Sequence, residues 1–217
     1  MKAFPSAAVL LLTLGSINTV MAETSDNGFY VGGDIGSTQL KIQGESDSAA
    51  SLGVYGGYNF NEWFAVEGHV FGTGDYDTGL EGQSGTFNGD TITVTKTELS
   101  ASGLTIAPKV TWHINEIFSA YAKAGLSYMK VDTEIGVVAN GVNINTSANF
   151  DGWGYVLGAG VNAAITPHLV VRLGYEYMNA DIDGDVNVNV MGLSAKQNID
   201  LDDTKLSQFS LGLHYQF

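Results

Sequence analysis

The chain ends on SLGLHYQF, Ser210 to Phe217. Leu211, Leu213, Tyr215 and Phe217 take every second position, and Gly212, His214 and Gln216 fill the gaps. A period of two belongs to a β-strand with one apolar face. Terminal residues fray unless something holds them. A regular strand that runs to its last phenyl ring therefore implies a partner. If the sheet is to lose both edges, that partner is the first strand of the chain.

The same period returns upstream in seven more runs, about 28–41, 50–60, 63–73, 98–113, 117–129, 152–165 and 169–178. Their connections alternate in kind. Asn61-Glu62, Ile114-Asn115-Glu116 and Thr166-Pro167-His168 are tight, turn-forming links. The other four, about 42–49, 74–97, 130–151 and 179–203, are long, polar and acidic, and are expected to be loops. Eight strands with short and long links on opposite sides give an all-β, eight-stranded antiparallel up-and-down barrel. Glycine, with 28 residues, recurs inside these strands, where it marks bends and close approaches of a coiled sheet. Pro108 deletes a ladder hydrogen bond inside the fourth run and is expected to sit at a bulge.

Ahead of the strands, Lys2, the apolar run Ala7–Leu14 and the small-residue exit Val20-Met21-Ala22 have the layout of a secretory signal peptide. This divides the chain into a leader, 1–22, and a barrel domain, 23–217. The apolar run is far shorter than the roughly 20 residues of a membrane-spanning helix. Loss of Lys2 with the leader would leave 8 basic residues against 23 acidic ones, which argues against nucleic acid as a partner. No cysteine is present, so neither a disulfide framework nor a lipidated cysteine is possible.

A soluble lipocalin-like barrel alternates too, and two features separate it from a membrane barrel. Phe60, Trp63, Phe64, Trp112, Phe118, Tyr215 and Phe217 gather at the tight-turn end, as expected of a periplasmic-side girdle. Tyr128, Trp153, Tyr155, Tyr175, Tyr177 and Phe209 form a second band toward the loop end. On the opposite face stand small residues and isolated charges: Asp34, Glu67 and Glu176 against Lys109, Lys123 and Arg172. These six are read as a lumen charge network in a narrow polar interior, where a lipocalin would be apolar. Eight strands barely leave room for side chains, so the bland reading is packing by paired charges, and the sharper one a switchable gate.

The terminal LGLHYQF, with GFYVGGDIG, AYAKAGLSY and VVRLGYEY, resembles the OmpA-like and OmpX-like eight-stranded outer-membrane proteins over residues 23–217. The resemblance implies a cell outer-membrane location in a Gram-negative bacterium, contact with outer-membrane lipid and lipopolysaccharide, and recognition of the final strand by the barrel-assembly machinery. Larger members append a peptidoglycan-gripping domain; this chain stops at strand eight, so cell-wall tethering is not expected.

Catalysis finds little support. His113 and His168 lie at turns, while His69 and His214 face the lumen without a serine two residues away on the same strand. Asp181, Asp183 and Asp185 alternate like a calcium loop, but the glycine falls at its fourth position and position twelve is Gly192, so a solvated acidic segment is favoured over a metal site. No cofactor is expected. The reading is a structural or surface-interaction protein with a charge-packed lumen and four acidic loops. The alternatives are a narrow low-conductance porin and, third, an outer-membrane enzyme.

Overall fold

The structure is a computed structural model describing residues 27–42, 45–76, 81–87, 90–139, 142–190 and 193–217. The proposed signal peptide, 1–22, lies outside the described residues. Among the described residues nine strands form one antiparallel sheet: β1 (Gly28–Ile42), β2 (Glu45–Asn59), β3 (Phe64–Thr73), β4 (Ser84–Phe87), β5 (Asp90–His113), β6 (Phe118–Ala139), β7 (Val142–Ala164), β8 (Leu169–Val190) and β9 (Leu193–Gln216). The short β4 pairs only with the outer end of β5, while β3 pairs with β5 directly, so the closed ring has eight strands. The C-terminal strand closes it against β1, from Tyr30↔Gln216 to Lys41↔Lys205. The Phe217 amide donates to Phe29 O at 2.9 Å, which carries the ladder to the last residue.

One device makes the three tight turns. The side-chain oxygen of Asn61 accepts from the amides of Trp63 (3.0 Å) and Phe64 (2.8 Å). Asn115 does the same for Ile117 and Phe118, at 2.9 and 2.7 Å. Thr166 Oγ1 accepts from Leu169 at 3.0 Å. Each residue satisfies turn amides that the ladder cannot reach.

The long connections differ from the sequence reading. Most of 130–151 and 179–203 continues the ladder: β6 pairs with β7 out to Ala139↔Val142, and β8 with β9 out to Val190↔Leu193. Strands of 22–24 residues are twice what a tilted strand needs to cross a bilayer, so the barrel rises well beyond the lipid as extended hairpins. Loop composition was a poor guide because a strand with water outside has no need of an apolar outer face. Pro108 also departs from expectation. The β5–β6 register is the same before it (Ile106↔Leu126) and after it (Lys109↔Lys123), so no bulge forms there. The bulge in that ladder falls at Val94/Lys96.

Side chains divide cleanly. Outward residues between the two aromatic bands are apolar and exposed, among them Ile35, Leu52, Val70, Ile106, Leu126, Leu157 and Leu211. Inward residues form two layers. Toward the tight turns the lumen holds Asp34, Glu67, His69, Lys109, Lys123, Arg172 and Glu176, all buried. Toward the outer end, Leu40, Phe71, Tyr76, Met129, Val131, Phe150, Met178, Ile182 and Leu206 pack into an apolar core. The interior thus carries its charges in one layer and apolar side chains in the other, where a wholly polar lumen was expected.

The reason is visible within single strands. On β8, Val171-Arg172-Leu173 sends the charge inward and the apolar residues out, whereas Asp181-Ile182-Asp183 does the reverse. On β6, Ala122-Lys123-Ala124 is answered by Lys130-Val131-Asp132. Where lipid surrounds the barrel the polar residues go inside; where water surrounds it the hydrophobic effect fills the interior as in a soluble protein.

Candidate functional site

The polar layer is built around Glu67 on β3, whose side chain is fully buried. Arg172 Nη1 from β8 lies 2.8 Å from Oε2, Lys109 Nζ from β5 lies 3.2 Å from the same oxygen, and Lys123 Nζ from β6 lies 2.9 Å from Oε1. Tyr30 from β1 donates its hydroxyl to Oε2 at 2.6 Å and accepts from Lys109 Nζ at 2.7 Å. Lys123 reaches Glu176 as well, at 2.6 Å. Three cations from three strands thus meet one carboxylate, with a second carboxylate behind.

Aromatic rings complete the setting. The Arg172 guanidinium stands 4.3 Å from the Tyr55 ring centre and 4.8 Å from that of Tyr121, and Lys109 Nζ stands 4.1 Å from Tyr30. Such faces stabilise a desolvated cation where water cannot. Arg172 Nε also donates to Asn162 Oδ1 at 3.3 Å, and Asn162 Nδ2 donates to Ser119 Oγ at 3.2 Å. The strands make room with glycine opposite the large groups. A Cβ on Gly158 would press on the Lys123 stem, and one on Gly57 would strike the Tyr30 ring.

All six charges read from the sequence lie in this layer, but they do not pair as three simple couples. Asp34 meets no lysine or arginine among the described residues; its carboxylate faces His69 Nε2 at 3.1 Å. His69 Nδ1 lies 3.6 Å from Glu176, so the imidazole stands between two carboxylates. His69, read from the sequence as lumen-facing but not counted among the charges, joins them together with the tyrosines. The signal was present: Glu67 and His69 share a parity on β3, and Tyr30 shares that of Asp34 on β1.

Below the charges, toward the tight turns, a polar vestibule of about 160 Å³ is lined by Tyr30, Lys109, His113, Asn162 and His214 among others. Beside them Ser51, Thr105, Ser127 and Gln208 are buried as well, Gln208 Nε2 donating to Ser51 Oγ at 3.2 Å, and His69 packs 5.7 Å from Phe71 of the apolar layer. Phe60, Trp63, Trp112, Phe118, Tyr215 and Phe217 stand around the tight-turn end with about half their surface exposed. Asp181, Asp183 and Asp185 lie on β8 rather than in a loop, Asp183 opposite Asp151. Among the described residues no three His, Cys, Asp or Glu side chains come together to hold a metal.

A closed antiparallel ring of eight strands, apolar toward lipid and charged within, defines an outer-membrane β-barrel of the smallest class. The chain belongs to the outer membrane protein beta-barrel domain family, whose model matches residues 7–217. It is 22% identical to outer membrane protein PagN of Salmonella typhimurium, over all of both chains. It is 25% identical to outer membrane protein A of Escherichia fergusonii, covering 97% of this chain and 54% of that one. The chain therefore spans about half the length of outer membrane protein A.

Among solved structures, Neisserial surface protein A superposes with a TM-score of 0.59 at 16% identity, covering 88% of this chain and 97% of that one. Ail, the attachment invasion locus protein of Yersinia pestis, gives 0.52 at 18% identity, covering 88% and 99%. The protein is a Gram-negative outer-membrane barrel of the OmpA-like type.

Proposed function

We propose that the protein is a plugged barrel that presents extended hairpins at the cell surface for interaction, and is neither a pore nor an enzyme. The observation that carries this reading is the two-layer interior. A paired charge layer and an apolar layer in series fill the lumen with side chains, which leaves the outer hairpins as the surface available for a partner. Ail, the attachment invasion locus protein, has the same fold, so a surface role is one that the fold can host. The lumen charges are structural in this reading: buried groups that must be paired once they leave water. The barrel sits in contact with outer-membrane lipid and lipopolysaccharide, and its last strand, ending at Phe217, is the segment handed to the barrel-assembly machinery.

The test is single-channel recording of the refolded protein in a planar bilayer, with Arg172→Ala beside it. No steady conductance in either form is the expected result, because the apolar layer stays closed when the charge layer is cut. Discrete openings altered by the substitution would make the protein a narrow pore and overturn the reading.

A further inference from the structure

The polar vestibule below the charge layer has a buried floor and an exposed rim. Lys109, Ser119, Asn162 and His214 are buried at the floor, while Glu62 and Glu116 stand exposed at the mouth, on the β2–β3 and β5–β6 turns. These two turns are neighbours, since the Thr111 amide at the end of β5 donates to Trp63 O at 2.9 Å.

A count of donors shows what the floor can hold. The Lys109 ammonium has three N–H groups; Tyr30 Oη accepts one at 2.7 Å and Glu67 Oε2 another at 3.2 Å, which leaves the third. Asn162 Nδ2 gives one of its two protons to Ser119 Oγ, which leaves the second and the serine's own hydroxyl proton. Three donors from β5, β6 and β7 thus line one cavity, and one of them is cationic. Glu67 Oε2 also serves Arg172 at 2.8 Å, so two cations share one oxygen and the floor keeps a positive excess. Among the described residues the carboxylates of the lining are Glu62 and Glu116, both at the mouth.

The two ends select together. A dianion is repelled at the mouth and a diamine at the floor, whereas a molecule with one carboxylate and one ammonium suits both. From Lys109 to His113, β5 rises about 13 Å along the strand, or roughly 10 Å of depth at a tilt of about 40°. An extended dipeptide is about 7 Å long and bridges that depth with a hydrogen bond at each end. A volume of about 160 Å³ matches about five waters at about 30 Å³ each, which restricts the peptide to small side chains.

We infer that the vestibule binds a short zwitterionic peptide of small residues, its C-terminal carboxylate on Lys109, Ser119 and Asn162 and its N-terminal ammonium between Glu62 and Glu116. The site opens at the tight-turn end, opposite the outer hairpins, and is independent of what those hairpins meet.

The test follows the amide signals of Ser119 and Asn162 by NMR while glycylglycine is titrated into the refolded full-length protein in micelles. N-acetylglycine keeps the carboxylate without the ammonium, and glycylglycinamide keeps the ammonium without the carboxylate. Glycylglycine should bind saturably, and each analogue about tenfold more weakly. Glu62→Gln/Glu116→Gln should weaken glycylglycine about tenfold and leave N-acetylglycine unchanged, whereas Lys109→Met should weaken both. The rim variant changes only exposed turn side chains, so it decides the matter even where Lys109→Met fails to give the heat-shifted gel band of an intact barrel. Absence of saturable binding, equal binding of N-acetylglycine and glycylglycine, or a rim variant that binds glycylglycine like wild type overturns the inference. Displacement of the dipeptide by inorganic phosphate at equal concentration would mean a plain anion site and overturns it too.

Discussion

Replacing Glu67 by glutamine keeps the shape of the hub and removes its charge. The lumen would then hold Lys109, Lys123 and Arg172 against Asp34 and Glu176 alone. Among the described residues Glu67 is the one carboxylate partner of Lys109 and of Arg172, whereas Lys123 keeps Glu176 at 2.6 Å. Two buried cations lose their counter-charge at once, and breaking a buried pair from one side costs about 3–5 kcal/mol. The tyrosine faces beside Arg172 and Lys109 offset part of this, so the lower end of that range is expected for Glu67→Gln. Adding Lys109→Met restores the balance of charge, and the double variant should be more stable than Glu67→Gln by about 1–2 kcal/mol, within the range of coupling energies for contacting residues. The assay is equilibrium urea unfolding in phospholipid vesicles, followed by tryptophan emission. Trp63, Trp112 and Trp153 all stand exposed on the outer face and report departure from lipid. A Glu67→Gln variant within about 1 kcal/mol of wild type, or losses that simply add in the double variant, would show that Glu67 is no hub.

Further perturbations probe the other layers. Met178→Ala opens a cavity in the apolar layer beside Val156 and Leu206 and should cost about 2–5 kcal/mol in the same unfolding assay. Leu211→Arg puts a charge into the lipid-facing band and should cost about 2–4 kcal/mol in vesicles, while leaving a gel band that still shifts on heating. Asn115→Ala hands the exposed amides of Ile117 and Phe118 to water and should cost about 0.5–1.5 kcal/mol, read from the urea midpoint, with Thr111→Ala, which leaves the turn bonds alone, as the comparison.

The ring and its tight turns were legible because lipid enforces a strict rule. Between the aromatic bands an outward residue must be apolar, so Leu211, Leu213, Tyr215 and Phe217 alternate without a break. Lumen membership follows from parity alone, which is why Glu67, Lys109, Lys123, Arg172 and Glu176 could be chosen before any coordinates. Pairing could not be chosen. It depends on how eight tilted strands stagger around the ring, and that offset brings Asp34 to His69 instead of to a lysine. The outer ladders were hidden for a different reason: alternation persists in Asp181-Ile182-Asp183, but with the signs reversed, and reversed signs on a polar background read as a loop.

That reversal also accounts for the aspartates that resemble a broken calcium site. A strand leaving the membrane has to exchange its faces, because its outer side passes from hydrocarbon to water while its inner side stays enclosed. Ile182 buried between Asp181 and Asp183 is the mirror of Arg172 between Val171 and Leu173, ten residues earlier on the same strand. Alternating carboxylates are the expected outer face of such a strand, and they need no metal to explain them. If the barrel is plugged as proposed, the same exchange is what closes it, since an apolar interior holds neither water nor ions. The height at which the faces exchange therefore fixes the floor of the surface-exposed part and the ceiling of the polar lumen together. A substitution that moved this level, such as Ile182→Asp, would put an unpaired carboxylate among Met129, Val131 and Phe150 and loosen the outer ladders, while the charge layer below kept its pairs.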